Sequence, residues 1–181
     1  IWAASERGLA SDAISADVGP HSVVLLLLSA PTAGLNESFL SDWEWIYAES
    51  GFGPVEHNRS NGEAAHGDGR MLLIAGRSYE KGIGVHAPAQ ISYMTAGRCA
   101  VFQAEVGIDD EVPAHGAVVF EVWADGVLAA SSGPVRGGEA ARQVWVDLRG
   151  IQELRLVVTD GGDWTDYDHA DWGNARVSCT R

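Results

Sequence analysis

Residues Thr159–Trp172, TDGGDWTDYDHADW, concentrate side chains that could do chemistry. The acidic, imidazole and aromatic members are Asp160, Asp163, Asp166, Asp168, Asp171, His169, Trp164, Tyr167 and Trp172. Clustered carboxylates repel one another and need a cation, an arginine or a hydroxyl-rich ligand to hold them together. Aromatic rings on a loop add flat apolar faces. The combination is typical of a sugar site, a calcium site or a glycosidase active site; a solvated acidic turn with one or two rings in the core is the structural alternative.

Within this stretch, Trp164 and Tyr167 are the best candidates for stacking against a sugar, and Asp168 and His169 for hydrogen bonds to its hydroxyls. His86 ends the glycine-rich segment GIGVHA, and glycines permit close approach of a ligand. A single histidine is more often a hydrogen-bonded structural residue, so both interpretations stay open for it. The predicted sugar contacts are therefore His86, Trp164, Tyr167, Asp168 and His169.

A second acidic run, Asp109-Asp110-Glu111, follows a strand-like segment. Successive strand residues point to opposite faces, so these carboxylates need not converge. A glycosidase needs two carboxyls that face each other across the substrate, roughly 5 Å or 6.5 to 9.5 Å apart. We expect the run instead to accept backbone or arginine hydrogen bonds and to shape a loop. A small glycosidase is the alternative, and it would use two of Asp109, Glu111, Asp168 and Asp171.

Short strands must position these groups, because apolar and polar residues alternate with period two along much of the chain. The alternation is present in Ala100–Val106, Val118–Trp123, Gln143–Leu148 and Leu154–Val158. Glycine-containing turn pairs separate such runs. The pattern predicts an all-β fold, an antiparallel β-sandwich or jelly roll. The acidic stretch would then be a long loop between the strands Leu154–Thr159 and Ala175–Cys179, and loops of this length and polarity are usually functional.

Four other tryptophans are assigned to the sheets. Trp123 and Trp145 alternate with acidic or polar neighbours, so we expect them to pack on a sheet face. Trp43 and Trp45 are expected to share one strand face, as core or rim. None of the four is predicted to contact a ligand.

The two cysteines, Cys99 and Cys179, both lie in strand-like runs. If the two strands share a sheet, a bridge would tie the last strand to the middle of the domain, and loop-closure entropy for so long a loop is worth about 4 kcal/mol. Two unrelated buried thiols are the alternative. The bridge is the preferred prediction, and with it an oxidising, extracellular setting.

Composition limits the possible partners. A hydrophobic fraction of 46% excludes a disordered chain, and a formal net charge of −13 disfavours nucleic acid and anionic membranes. The apolar run Val23–Leu28 is far shorter than the roughly 18 to 20 residues of a membrane span. EF-hand, Cys/His zinc and phosphate-loop patterns are missing from the sequence. We therefore expect a soluble monomer with no nucleic-acid and no membrane partner.

Residues 1–34 differ in kind from those that follow. A polar half precedes His21–Ser29, an apolar strand between two prolines, and one strand cannot form a domain. The segment resembles the last strand of the C-terminal β-sandwich of melibiase-type α-galactosidases. We expect residues 1–34 to be a remnant or last strand of a preceding glycosidase β-sandwich with its linker, and residues 35–181 to be a separate module.

Five blocks in order resemble the NPCBM family, the novel putative carbohydrate-binding modules attached to bacterial glycosidases. The blocks lie within Phe39–Cys179 and read FLSDWEWIYAESGFGPVEHNRSNGE, YEKGIGVHAPAQISY, VGIDDEV, VVFEVWADG and DHADWGNARV. The resemblance implies a jelly-roll β-sandwich, galactose-binding-domain-like, with a non-catalytic sugar-binding role and often a bound calcium ion. One departure is Phe52, where the family often has a tryptophan in a GWG turn; a different ring there would alter the affinity for a sugar.

The calcium ligands implied by the resemblance lie in EHNRSNGE, the loop Glu56–Glu63, and near the last strand. They are Asn58, Asn61, Asp171 and Asn174. Calcium takes six to eight oxygen ligands, many of them backbone carbonyls that sequence cannot identify.

The favoured function is therefore a non-catalytic module of a secreted bacterial glycoside hydrolase, an α-galactosidase by resemblance. Its expected partners are glycans with terminal galactose-type sugars and a tethered catalytic domain, whose substrate it would concentrate locally. The small glycosidase and a purely structural spacer are the alternatives.

Overall fold

The computed structural model describes residues 34–112, 115–162 and 164–180. These residues form thirteen β-strands and one single-turn 3-10 helix, Leu40–Asp42. The strands are β1 Asn36–Phe39, β2 Tyr47–Glu49, β3 Glu56–His57, β4 Leu72–Ile74, β5 Arg77–Tyr79, β6 Gly82–His86, β7 Ala89–Met94, β8 Cys99–Ile108, β9 Ala117–Ala124, β10 Val127–Arg136, β11 Arg142–Asp147, β12 Glu153–Asp160 and β13 His169–Cys179. The prediction of an all-β fold is confirmed. The strand predicted at His21–Ser29, and the domain it was assigned to, lie outside the described residues.

Two antiparallel sheets form the sandwich. Sheet A has the strand order β11-β8-β13-β6-β3, and β1 also pairs with β13. Sheet B has the order β10-β9-β12-β7-β2. The hairpin β4-β5 stands apart from both sheets. Within the described ranges, no helix is long and apolar enough to cross a membrane.

The core lies between the two sheets, as the alternation predicts. Phe102 of β8, Phe120 of β9 and Trp172 of β13 are fully buried there. The Trp172 ring meets Phe120 edge-on with centroids 5.0 Å apart and Phe102 at 6.3 Å. Edge-to-face pairs at such distances add about 0.5 to 1.5 kcal/mol beyond area burial.

The last strand is longer than the sequence predicts, because β13 begins at His169. The prediction of a loop is therefore wrong for residues 169–174, which form the first part of the central strand of sheet A. Ala170 and Trp172 point into the core, so His169 and Asp171 point to the outward face of sheet A. That face is itself covered, and its polar residues are buried. The alternation His169-Ala170-Asp171-Trp172 is present in the sequence, but it continues an acidic, aromatic run, which places it in the predicted loop.

The cover is made by the hairpin β4-β5 and the loop 58–70. A Cβ at Gly107 would lie 2.3 Å from Ile74 Cγ2, and one at Gly84 would lie 2.3 Å from the Arg59 carbonyl oxygen. Only glycine admits such close approach. Leu72, Ile74 and Tyr79 form a small apolar cluster under the hairpin. The polar residues of the outward face therefore lie in a second, partly closed layer.

The predicted disulfide is confirmed: Cys99 and Cys179 are bonded across neighbouring strands β8 and β13. Among the described residues there is no other cysteine. Trp43 and Trp45 depart from expectation, since both lie in the irregular segment before β2 rather than in a strand. Trp43 Nε1 donates to Ser38 Oγ at 3.0 Å, and the Trp45 ring packs against His57 with centroids 4.2 Å apart.

Candidate functional site

The acidic loop, as the structure defines it, runs between β12 and β13 and is fastened by Asp168. Asp168 has no exposed surface, and its Oδ1 accepts the Ala117 amide at 3.1 Å. Its backbone carbonyl accepts the Ala87 amide, also at 3.1 Å. Asp168 thus joins the loop to the start of β9 and to the end of β6. Its predicted sugar contact stays a prediction, and its burial favours a positioning role.

The two predicted stacking residues are exposed. Trp164 has 84% of its surface accessible and Tyr167 has 47%. Both have left-handed backbones, with φ of 76° and 69°. This region is costly for residues other than glycine, and such conformations cluster at binding sites. The Tyr167 ring lies 5.9 Å from that of His115. Because Trp164 and Tyr167 are both exposed, they present apolar faces to solvent in the loop before β13.

The two predicted histidines are brought together by strand pairing. His86 of β6 lies directly opposite His169 of β13, with ring centroids 5.2 Å apart. Phe52 lies edge-on to His86 at 5.7 Å and is half exposed. The three rings therefore form a continuous row, with Phe52 at its solvent end.

His86 is held neutral. Its Nδ1 lies 2.8 Å from the Ala87 carbonyl oxygen, which can only accept, so Nδ1 carries the proton. Burial lowers the pKa of His86, the Ala87 carbonyl partly offsets this, and the neighbouring His169 lowers the pKa further. The remaining nitrogen, Nε2, is an acceptor in this tautomer.

His169 is oriented by Glu111, whose Oε1 lies 2.8 Å from His169 Nδ1. Burial by itself raises the pKa of Glu111, but hydrogen bonds from His169 and Ser60 and the positive charge of Arg70 outweigh burial, and the pKa is lowered. Glu111 is therefore a carboxylate at neutral pH, and it fixes the His169 ring toward the pocket beside it.

A polar pocket of about 280 Å³ opens next to this pair. Its lining residues are Asn61, Glu63, Asp68, Gly69, Arg70, Glu111 and His169. Pockets for drug-sized ligands begin at about 300 Å³, so this pocket is small and could admit only a small ligand or part of a larger one. The lining offers an imidazole, a guanidinium, an amide and three carboxylates, which together match a ligand rich in hydroxyl groups.

The structural interpretation of the second acidic run is confirmed for its first two members. Asp109 accepts the Leu73 amide at 2.9 Å and the Glu111 amide at 2.7 Å. Asp110 accepts the Ala75 amide at 3.0 Å and the Gly76 amide at 2.6 Å. Both carboxylates fasten the hairpin β4-β5 to the end of β8. Glu111 alone turns toward the pocket.

The four carboxyls of the glycosidase alternative do not form an acid and base pair across a cleft. Asp109, Asp168 and Asp171 are buried, whereas a catalytic carboxyl must touch the substrate. A general acid also needs a raised pKa, and the pKa of Glu111 is lowered.

The calcium residues are only partly suited to a cation. Asp171 is fully buried, and its two carboxyl oxygens make no well-formed hydrogen bond, although Asp109 and the Leu73 amide lie close to them. The buried Oδ1 of Asn61 also lacks a donor. Burial raises the pKa of Asp171 well above its usual value, and the nearby Asp109 carboxylate raises it further. Such orphaned oxygens fit a hard cation.

The other two predicted calcium ligands have different partners. Asn58 Oδ1 accepts the Gly82 amide at 3.3 Å, and Asn174 donates its backbone amide to the Lys81 carbonyl. Among the described His, Cys, Asp and Glu side chains, no group of three converges as metal ligands, so calcium stays a prediction.

The sequence did not single out Glu63, Asp68 and Arg70 as pocket residues. They lie on a loop that reaches the pocket only because it folds across the outward face of sheet A. The one usable signal was the pairing of Asn61-Gly62 with several charged residues in a loop, a pattern too common to indicate a site.

Comparison with known proteins places the fold among sugar-binding modules. CBM51 from the Clostridium perfringens GH95 protein, in complex with methyl-galactose, is 32% identical, covers 78% of this chain and 99% of its own, and superposes with a TM-score of 0.71. The CBM51-2 and INT domains of Clostridium perfringens ZmpB, in complex with GlcNAc, are 32% identical with a TM-score of 0.71 and cover 80% of this chain and 32% of that one.

Two curated relatives are much longer than this chain. A protein of Renibacterium salmoninarum named as an endo-alpha-N-acetylgalactosaminidase is 38% identical over 88% of this chain and 10% of its own length. An alpha-1,3-galactosidase B of Akkermansia muciniphila is 37% identical over 56% of this chain and 13% of its own. The chain thus spans about a tenth of these relatives. Residues 36–178 match the NPCBM/NEW2 domain. The resemblance read from the sequence is confirmed, and the chain belongs to the NPCBM/NEW2 family, as a carbohydrate-binding module of the non-catalytic type found within glycoside hydrolases.

Proposed function

We propose that the module binds terminal galactose-type sugars in the pocket beside His169, without cleaving them. The observation that carries the proposal is the juxtaposition of a hydroxyl-matching pocket with exposed aromatic rings at the same end of sheet A. The fold-level likeness to a module holding methyl-galactose supports it.

The chemistry divides between two kinds of group. A galactoside presents an apolar C–H face to an aromatic ring, which Trp164 or Tyr167 supplies from the loop and Phe52 from the far side. Its hydroxyls donate to the carboxylates of Asp68 and Glu111 and accept from Arg70. Charged partners make shorter and stronger hydrogen bonds than neutral ones, so this side of the pocket would set orientation.

The affinity should be weak for one sugar. A monosaccharide offers few atoms and little area that becomes desolvated, so binding must overcome the entropy cost of association with a small surplus. Because the left-handed backbones of Trp164 and Tyr167 preset the loop, less of that cost would arise from ordering the site.

A single isolated site of this strength would act through tethering. Attachment to a catalytic domain makes a second contact intramolecular and raises its effective concentration. We therefore propose a parent glycoside hydrolase of the galactosidase type, secreted, with the disulfide as the reason to favour an oxidising setting.

Calcium is part of the same proposal as a structural ion. Asp171 and Asn61 would hold it, and the ion would neutralise a buried carboxylate that the fold otherwise keeps uncharged. Through Asn61 and Asp171, the ion would join the loop 58–70, which lines the pocket, to β13.

Isothermal titration of methyl-galactose into the wild type and into Trp164→Ala, Tyr167→Ala, His86→Ala and His169→Gln tests the pocket. Loss of a stacking ring should weaken binding about tenfold, and His169→Gln should weaken it at least as much. Trp145→Ala, which removes an exposed tryptophan on β11 that does not line the pocket, is the matched control. Equal affinity in all four variants would place the site elsewhere. Release of sugar from an aryl galactoside by this chain would refute the non-catalytic assignment.

A further inference from the structure

The outward face of sheet B carries a row of flat side chains. Registered partners across the five strands are Leu128, Trp123, Arg155, Ser92 and Tyr47. Their strand neighbours Val122, Leu154 and Ile91 point into the core, so the row lies on the outward face of sheet B. Within the row, Ser92 is itself buried, with 3% of its surface exposed. Leu128 is 45% and Tyr47 46% exposed, and Trp123 is half-buried.

Each large side chain in the row is held flat by a carboxylate on its own strand. The hydrogen bonds run from Trp123 Nε1 to Glu121 at 2.9 Å, from Arg155 Nη2 to Glu153 at 3.0 Å, and from the Tyr47 hydroxyl to Glu49. Same-face residues two apart on a strand are roughly 7 Å apart. The polar edge of each group can reach its carboxylate only by lying along the strand, so its flat face is turned to solvent.

The two rings bound a shallow trough. Strands β9 and β2 run in opposite directions within sheet B. The Trp123 ring extends toward Glu121 and the N-terminal end of β9, and the Tyr47 ring extends toward Glu49 and the C-terminal end of β2. The two rings therefore extend in the same direction across the sheet. Between those carboxylates, in the same row, lie Val157 and Gln90. Three strand spacings, or about 14 Å, separate Trp123 on β9 from Tyr47 on β2. The trough has aromatic ends, and its floor consists of Val157 and Gln90 next to Arg155 and Ser92.

The charges of the trough select its occupant. Arg155 is paired with Glu153. In the part of the chain that the structure describes, the carboxylates Glu121 and Glu49 are hydrogen-bonded to Trp123 and Tyr47 and have no ion pair. Each uses one oxygen in the bonds described above. An anionic glycan would be repelled, whereas hydroxyl groups can donate to the second oxygens and to the Gln90 amide oxygen. Aromatic faces at both ends match the C–H faces of successive sugar rings.

We propose that this face is a second carbohydrate-binding site, separate from the pocket at His169, and that it takes a neutral oligosaccharide a few sugars long across Trp123 and Tyr47. It lies on the opposite side of the sandwich, because the pocket belongs to the layer that covers sheet A. The two sites can be occupied together, which would raise avidity for a branched or clustered glycan.

The test uses lacto-N-tetraose, a neutral linear tetrasaccharide, titrated into the whole chain in the presence of saturating methyl-galactose. The expected result is continued binding that Trp123→Ala and Tyr47→Ala each weaken about three- to tenfold, with a shift of the Trp123 indole proton signal. A sialylated tetrasaccharide should bind more weakly. Trp145→Ala is the matched control and should leave the affinity unchanged.

Two further measurements keep the result interpretable. Trp123→Phe keeps a flat ring while losing the hydrogen bond to Glu121. Thermal melting shows whether each variant is folded. A folded Trp123→Ala variant with unchanged affinity for the tetrasaccharide overturns the proposal. So does an indole signal that stays fixed while only residues near His169 respond. Self-association that Tyr47→Ala abolishes would assign the face to a second copy of the chain. If methyl-galactose does not bind at all, the pocket proposal fails, and the response of Trp123 to the tetrasaccharide still decides this one.

Discussion

At the scale of single residues, neighbours in the acidic loop have opposite roles. Trp164 is exposed with a left-handed backbone, while Asp168, four residues on, is fully enclosed and binds backbone amides. The first is available to a ligand and the second holds the loop that presents it. A residue can therefore matter for binding without touching the sugar.

Replacing Asp168 separates those roles. Asp168→Ala leaves the buried Ala117 amide without an acceptor, which costs about 1 to 3 kcal/mol, so the melting temperature and the affinity for methyl-galactose should both fall. Asp168→Asn keeps Oδ1 and should stay close to wild type in both measurements. An Asn variant that is fully stable yet loses sugar binding would show a direct contact by the carboxylate.

Asp171 tests the calcium proposal through stability. Its raised pKa means that the folded state keeps the carboxyl protonated, and stability is lost as the pH rises toward that pKa. In chelator at neutral pH, Asp171→Asn should therefore melt at a higher temperature than wild type. Added calcium should raise the melting temperature of the wild type and not of the variant. Asp110→Asn, at an exposed hairpin cap, is the control; equal calcium responses in all three proteins would remove Asp171 as a ligand.

At the scale of elements, the central strand β13 connects the parts of the site. It pairs with β8, β6 and β1, carries His169 at one end and is bonded through Cys179 to Cys99 at the other. Its inward face fills the core and its outward face carries the polar layer under the hairpin and the loop 58–70. The position of the pocket thus depends on one strand being fixed at both ends.

Removing the bridge should loosen that strand. Cys99→Ala with Cys179→Ala should lower the free energy of unfolding by about 4 kcal/mol, since the bond closes a loop with a sequence separation of 80. Denaturant titration with and without reductant measures the change. Reductant should lower the free energy of unfolding of the wild type and leave that of the double variant unchanged. A wild type insensitive to reductant would contradict the stabilising role.

At the scale of the whole molecule, the acidic balance of −13 is distributed unevenly. Carboxylates cap the hairpin, line the pocket and hold the flat side chains on sheet B. The module therefore offers two acidic, hydroxyl-accepting surfaces on opposite faces. Both favour neutral glycans over anionic ones.

On acidification, His86 and Glu111 should each lower the stability of the domain, whereas Asp171, whose pKa is raised, should add stability as the pH falls toward about 3.8. The pKa of His86 is lower in the folded state than in the unfolded chain. As the pH falls below about 6.5, His86 is protonated more readily in the unfolded chain, and the folded state loses stability. The lowered pKa of Glu111 adds a loss below about 4.5. Melting curves from pH 8 to 3 should show the first loss reduced in His86→Gln and the second reduced in Glu111→Gln. Identical pH profiles for both variants and the wild type would contradict these assignments.

The sequence by itself determined the fold class and the strand cores, because period-two alternation and turn residues are local signals that any pairing must respect. It favoured the disulfide, and the structure decided between a bridge and two separate thiols. Residues such as Phe102, Phe120 and Cys99 could be assigned from their neighbours alone. The five-block resemblance likewise identified the family without any coordinates.

The tertiary structure alone decided which side chains meet. His86 and His169 are opposite each other because β6 and β13 pair in one register. Arg70 lines the pocket with His169 because a distant loop covers sheet A. The start of β13 was missed although His169-Ala170-Asp171-Trp172 alternates, because its polar members continue the acidic run of the loop and only the covering layer shows that they are buried. Burial of Asp168 beside an exposed Trp164 follows from contacts with Ala117 and Ala87, far away in the chain, and contacts between distant segments leave no periodic signal in the sequence.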